Sequence, residues 1–104
     1  MENEIIEKAI EQYGAGNQML KCIEECNELS RAISRILIEL SSGEGATSKE
    51  NLDNLYEELA DVEIMLAQVI KIFDCSDEVQ IEKARKLDRL NRRLQNDKDK
   101  SRRS

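Results

Sequence analysis

Two short groups of acidic residues carry the chemical information in this sequence. Glu24, Glu25 and Glu28 stand among apolar residues in IEECNEL, and Glu58 and Asp61 do so in EELADVEIML. Glu25–Glu28 and Glu58–Asp61 are both spaced i, i+3, which places the members of a pair on one face of a helix. Carboxylates in such pairs either bind a divalent cation or lie solvated on a helix surface.

The rest of the composition limits the chemistry that is available. The 104-residue chain contains no histidine, so base and ligand roles fall to carboxylates, Lys, Arg, Tyr or Cys. Its three cysteines, Cys22, Cys26 and Cys75, form no CxxC pair, which favours reduced structural thiols over a zinc site or a disulfide scaffold. An all-oxygen donor set selects a hard cation, so the acidic pairs predict Mg²⁺ or Mn²⁺.

Charge is distributed unevenly along the chain. Residues 1–81 carry 18 acidic and 6 basic side chains, whereas residues 82–104 carry 4 acidic and 10 basic ones. An acidic body with a basic C-terminal segment suits an anionic ligand bridged by metal, although a helical protein with a charged tail has the same pattern. No motif for reading polymeric nucleic acid occurs. With no visible signal peptide or membrane-length apolar run, we expect a soluble cytoplasmic protein without membrane association.

Apolar periodicity predicts four helices that would position the acidic residues. They cover about 3–13, 17–41, 48–73 and 77–95, separated by YGAGN, SSGEGATSKE and DCSDE. Thr47 and Glu50 fit a capping box for the third helix. A chain rich in Glu, Lys, Leu and Ile and without Pro favours an all-α, four-helix-bundle-like fold. We expect one domain over 1–95 and a charged, disordered tail over 96–104.

A central antiparallel helix pair would bring the two acidic groups together. The predicted apolar seam contains Cys22, Cys26, Leu29, Ile33, Ile36 and Leu40 on the second helix, and Leu52, Leu55, Leu59, Val62, Leu66, Val69 and Phe73 on the third. Each acidic pair lies on the flank of this seam. An antiparallel hairpin places Glu28 near Glu58 and Glu25 near Asp61, within roughly one turn of the register that the loop midpoint predicts. Converging carboxylates repel unless a cation compensates, which favours a metal site.

The second half of the predicted third helix, EIMLAQVIKIF, is apolar around most of its circumference. Ile64, Met65, Ala67, Ile70 and Ile72 all lie outside the predicted seam. A helix that is apolar on more than one side needs more than one packing partner. We therefore expect an oligomer, either a homodimer or a homotetramer.

The motifs EECNEL and EELADVEIML together resemble the EExxE…ExxD pattern of the MazG-like, all-α nucleoside triphosphate pyrophosphohydrolases. The resemblance runs from AIEQYGAGNQ to KARKLDRLNRRL, and the chain length is similar to that of short single-domain members. It implies Mg²⁺-dependent hydrolysis of a ribo- or deoxyribonucleoside triphosphate to the monophosphate and pyrophosphate. Water would attack the α-phosphorus, and the reaction would serve nucleotide-pool control or house-cleaning.

The resemblance also implies roles for individual residues. The metal ligands would be Glu25, Glu28, Glu58 and Asp61. Glu24 would join Glu25 and Glu28 as a catalytic residue by orienting or activating the attacking water. Substrate would contact the first helix, the following loop and the basic last helix, through Tyr13, Asn17, Gln18, Lys21, Lys83, Lys86, Arg89 and Arg93. The alternative is a non-enzymatic helical module that binds a protein partner through the apolar third helix.

Overall fold

The computed structural model describes residues 1–43 and 46–103, which contain four α-helices. These are α1 (Glu2–Tyr13), α2 (Ala15–Ser41), α3 (Lys49–Phe73) and α4 (Ser76–Arg103). No strand occurs in the described ranges, so the predicted all-α fold is confirmed. The chain divides into two compact units, one comprising Met1–Phe73 and the other beginning at Asp74.

Gly14 makes the break between α1 and α2. Its φ of 91° lies in the region that favours glycine, because a Cβ would be strained there. The Gly14 N–H donates to Ile10 O at 2.9 Å, and Gly14 O accepts the N–H of Gln18 at 3.1 Å. Gly16, which belongs to the YGAGN segment predicted to separate the helices, lies inside α2. One glycine therefore suffices to end the first helix and begin the second.

Ser48 is the N-cap residue of α3. Its Oγ accepts the N–H of Asn51 at 3.2 Å, so the capping box predicted at Thr47 and Glu50 is wrong by one residue. The Ser48 N–H donates to Glu39 Oε1 at 2.6 Å, and this bond lowers the pKa of the Glu39 carboxyl below its ordinary value. Glu39 thus connects the end of α2 to the start of α3.

The packed seam between α2 and α3 repeats in alternating steps of four and three residues. This repeat contains the buried or half-buried residues Gln18, Cys22, Glu25, Leu29, Ala32, Ile36 and Glu39 on α2, and Asn51, Leu55, Glu58, Val62, Met65, Val69 and Ile72 on α3. Gln68, which is also buried, lies beside the repeat on α3. Six residues of the predicted seam are exposed instead: Cys26, Ile33 and Leu40 on α2, and Leu59, Leu66 and Phe73 on α3. The seam therefore passes through Glu25 and Glu58, where the sequence had placed these residues on its flank.

α1 packs against both helices of the hairpin. Ile6 is its buried residue, whereas Ile5 and Tyr13 are exposed. An ion pair of 3.0 Å between Glu7 and Lys71 connects α1 to the last turns of α3. The core of this unit consists of small and medium side chains with no large aromatic residue among its buried members.

A buried amide pair crosses the α2–α3 seam. Gln18 Nε2 donates to Gln68 Oε1 at 2.7 Å, and Gln68 Nε2 lies 3.6 Å from Met65 Sδ. Only 8% of Gln18 and 4% of Gln68 is exposed. Buried polar groups are costly unless they are hydrogen-bonded. The pair therefore favours the one register of the two helices in which the amides meet.

Replacing one member of this pair is expected to destabilise the protein more than replacing both. Gln68→Met leaves the buried amide of Gln18 without its acceptor, which costs about 1–3 kcal/mol of unfolding free energy. The double variant Gln18→Met/Gln68→Met removes both polar groups at similar volume and should recover most of that loss. Urea unfolding of the four proteins in a double-mutant cycle measures the coupling. Strictly additive losses would show that the two amides do not interact.

α4 forms the second unit and contains no buried residue among those described. The sequence placed its end near residue 95 and a disordered tail after it, whereas the helix continues to Arg103. The extension contains no glycine or proline, which are the residues that most often end a helix. Among the helices that the structure describes, none has the length and apolar character needed to cross a membrane.

Candidate metal centre

Three carboxylates from α2 and α3 meet at the middle of the hairpin. Glu25, Glu58 and Asp61 each offer one oxygen, and the three atoms lie within 4.8 Å of one another. Glu25 and Glu58 are half-buried because they belong to the seam, whereas Asp61 is exposed. The predicted antiparallel register, with Glu25 facing Asp61, agrees with this geometry. The centre is therefore open to solvent on the Asp61 side.

Glu58 has the most unfavourable environment of the group. Its Oε2 is buried and has no hydrogen-bond partner within the described residues. Burial raises the pKa of the Glu58 carboxyl above its ordinary value, and the charges of Asp61, Glu25, Glu28 and Glu57 raise it further. A buried carboxylate oxygen without a donor is costly unless a cation compensates its charge. The environment of Glu58 therefore fits a bound metal ion.

The two carboxylates that α2 contributes each have a basic partner on the same helix. Lys21 Nζ lies 3.5 Å from Glu25 Oε1, and Arg31 Nη1 lies 2.7 Å from Glu28 Oε1. Glu28 is close enough to affect Glu58 electrostatically but lies outside the group of three converging oxygens. Arg31 was not among the site residues predicted from the sequence, although its i, i+3 spacing from Glu28 is a recognised signal for an ion pair.

The remaining candidate residues of the first unit lie at different depths. Glu24 is exposed on α2, and Tyr13 is exposed at the end of α1. Asn17 Nδ2 donates to Tyr13 O at 2.8 Å, so these two residues are joined at the α1–α2 junction. Gln18 is buried against Gln68, as described above. Among the predicted substrate-binding residues of this unit, Lys21 is the one that forms an ion pair with a carboxylate of the centre, that of Glu25.

The basic candidates on α4 are all exposed. Lys86, Arg89 and Arg93 line a shallow depression together with Leu90, which places three cationic groups on one side of the helix. Lys83 is exposed one turn before Lys86. Such a set is suited to a polyanionic ligand, and its role in binding remains a prediction.

Fold and site together define an all-α domain with an all-carboxylate centre suited to a hard divalent cation. Residues 15–96 match the family model of the MazG nucleotide pyrophosphohydrolase domain, and the chain belongs to that family. The match extends over α2, α3 and most of α4, and it indicates nucleotide pyrophosphohydrolase activity, which in this family generally depends on a divalent metal. Comparisons with curated proteins and with solved structures found no match.

Proposed function

We propose that the protein hydrolyses a nucleoside or deoxynucleoside triphosphate to the monophosphate and pyrophosphate, with Mg²⁺ as cofactor and water attacking the α-phosphorus. The proposal rests on the buried Oε2 of Glu58 in a chain of the MazG family. This oxygen has no hydrogen-bond partner among the described residues and belongs to a cluster of three carboxylates. The biological role that we propose is nucleotide-pool control or house-cleaning.

Four carboxylates would hold the cation: Glu25, Glu28, Glu58 and Asp61. A bound divalent cation neutralises triphosphate charge and lowers the pKa of water, and Mn²⁺ would substitute for Mg²⁺. Because Glu25, Glu58 and Asp61 project from two packed helices and already converge, their oxygens are in place before the ligand arrives. This pre-organisation is what a site needs to stabilise developing charge without reorganising.

Other side chains would orient the water and the substrate. Glu24 is exposed beside Glu25 on α2, and we assign it the role of accepting or directing the proton of the attacking water. Lys21, which lies 3.5 Å from Glu25, is assigned to phosphate. The basic residues of α4, Lys83, Lys86, Arg89 and Arg93, are assigned separately to a polyanionic ligand. Tyr13, Asn17 and Gln18 are assigned to the base and sugar. The Gln18 amide already donates a hydrogen bond to Gln68.

We further propose that the protein assembles as a homodimer or homotetramer. Large apolar side chains are exposed on the hairpin, among them Ile23 (59%), Leu37 (58%), Ile38 (70%) and Ile64 (50%). Exposed apolar side chains at this density are typical of surfaces that bind another protein. A second copy of the chain would cover them, and sedimentation equilibrium measures the resulting mass.

A hydrolysis panel in H₂¹⁸O tests the reaction. Ribo- and deoxyribonucleoside triphosphates are incubated with and without Mg²⁺, and the products are analysed by mass spectrometry. We expect pyrophosphate and monophosphate in equal amounts, with ¹⁸O in the monophosphate, because water adds to the α-phosphorus. Label in pyrophosphate would mean attack at the β-phosphorus, and orthophosphate would mean a different cleavage position.

The exposed apolar surface also supports the second candidate, a non-enzymatic interaction module. The two functions differ in what they require of the carboxylates, because scattered surface acids bind Mg²⁺ poorly. Absence of turnover with every nucleotide, together with no saturable metal binding, would favour the interaction module.

A further inference from the structure

The ion pair between Arg31 and Glu28 sets Glu28 apart from the other proposed metal ligands. Arg31 Nη1 lies 2.7 Å from Glu28 Oε1, and the two side chains are 65% and 45% exposed. We propose that Arg31 is an internal counter-cation that competes with the metal ion for Glu28, so that Glu28 joins the centre only when the guanidinium releases it. This inference rests on the proposed function and makes Arg31 a positioning residue of that site.

The arrangement of the four carboxylates supports the exchange. Glu25, Glu58 and Asp61 already direct oxygens toward one point, whereas Glu28 lies outside that group and is bonded to Arg31. A guanidinium–carboxylate bond is charge-assisted and orients both partners. An exposed i, i+3 pair nevertheless contributes little free energy, so a divalent cation readily displaces the guanidinium. Arg31 is thus a replaceable partner.

The second ion pair at the centre provides a contrast. Lys21 Nζ is 3.5 Å from Glu25 Oε1, and Glu25 belongs to the converging group while this pair is present. Lys21 therefore does not withhold its carboxylate from the centre. Of the two basic partners on α2, Arg31 is the one whose release changes the set of available ligands.

Nucleotide-free metal binding tests the exchange directly. Mn²⁺ is titrated into the wild type and Arg31→Gln, and free Mn²⁺ is measured by electron paramagnetic resonance. Because the pair that must be broken is exposed, we expect Arg31→Gln to bind Mn²⁺ about 1.5- to 5-fold more tightly. The matched control is Arg85→Gln, since Arg85 Nη1 lies 3.0 Å from Glu82 Oε1 at the same spacing, with exposures of 64% and 52%. Arg85→Gln should leave the affinity unchanged.

A double-mutant cycle separates exchange from simple repulsion between Arg31 and the metal. In a Glu28→Gln background there is no charged pair to break, so Arg31→Gln should add nothing to Mn²⁺ affinity. Repulsion alone would produce the same gain in both backgrounds. Circular dichroism of every variant verifies that the helices are retained.

The outcomes distinguish the inference from the function on which it rests. If the wild type binds Mn²⁺ but Arg31→Gln does not bind it more tightly, or gains equally in the Glu28→Gln background, the exchange is wrong and the proposed function is unaffected. If the wild type shows no saturable Mn²⁺ binding, the proposed function fails and the inference fails with it.

Discussion

A Glu58→Gln variant is expected to lose at least about 10³-fold in hydrolysis, while its metal-free form becomes more stable than the wild type. The loss follows because metal-assisted charge stabilisation contributes several kcal/mol to the transition state, and each 1.36 kcal/mol is tenfold in rate. The gain in stability follows because glutamine has the same size but no charge. It removes the carboxylate whose pKa is raised by burial and by the neighbouring acids.

The gain in stability should depend on pH with a definite sign. The folded-state pKa of Glu58 lies above its ordinary value of 4.5, so between these two values the Glu58 carboxyl binds its proton more fully in the native protein than in the unfolded chain. The contribution of Glu58 to the unfolding free energy should therefore fall as pH rises above 4.5. Urea unfolding in EDTA at pH 4.5 and pH 7 measures this contribution. The advantage of Glu58→Gln over the wild type should be larger at pH 7.

Glu57→Gln is the matched control for this variant. It removes one negative charge from the adjacent, exposed position on α3, and Glu57 is not assigned to the centre. Hydrolysis by Glu57→Gln should stay close to that of the wild type. Full activity in Glu58→Gln would exclude Glu58 as a ligand, and a lower stability in EDTA would contradict the argument from charge repulsion.

Helix number and class were predictable because the signals for them are local. Apolar periodicity placed all four helices, and Gly14 and the DCSDE segment marked two of the breaks. The one-residue error at the start of α3 arose because Thr47 and Ser48 are both good N-cap residues. The choice of Ser48 is accompanied by a bond from its N–H to Glu39, and that partner lies on another helix. The sequence around a cap does not reveal such a distant partner.

The seam was predicted less well than the helices, because the hairpin has apolar residues on more than one face. Ile33 and Leu59 are 44% and 42% exposed, although periodicity assigned both to the seam. The hairpin has more apolar residues than one interface can bury, so hydrophobicity alone does not identify the face that packs inward. The buried amides of Gln18 and Gln68 lie on that face. The spacing of apolar residues along a sequence does not reveal which polar residues will be buried between two helices.

The convergence of the carboxylates was predictable, whereas their individual partners were not. The i, i+3 spacing and the antiparallel hairpin were sufficient to bring Glu25, Glu58 and Asp61 together. Whether Glu28 faces the centre or an arginine depends on side-chain rotamers. Competition between neighbouring charges determines these rotamers. The spacing of the acidic residues contains no information about that competition. The pairing with Arg31 therefore required the structure.

Mg²⁺ is expected to raise the melting temperature of the wild type in a saturable way, and its removal by EDTA to abolish hydrolysis. A ligand that binds only the folded protein contributes about 1.4 kcal/mol at about ten times its Kd. For a chain of this size that corresponds to a rise on the order of 5–10 °C. The unfolded chain gains nothing comparable, because Glu25 and Asp61 approach each other only across the folded hairpin. Circular dichroism melts at fixed protein concentration and constant ionic strength measure the shift.

Three comparisons assign the shift to the carboxylate centre. Glu58→Gln and Asp61→Asn should lose most of it, because each removes a converging oxygen ligand, whereas Glu57→Gln should retain it. Mn²⁺ should produce a similar rise, since it accepts the same oxygen donors. NaCl at matched ionic strength should not, because screening acts on all acidic residues without requiring a site. An equal rise with NaCl, or an undiminished Mg²⁺ shift in Asp61→Asn, would mean that Mg²⁺ acts on the general negative charge of the protein and not on this centre.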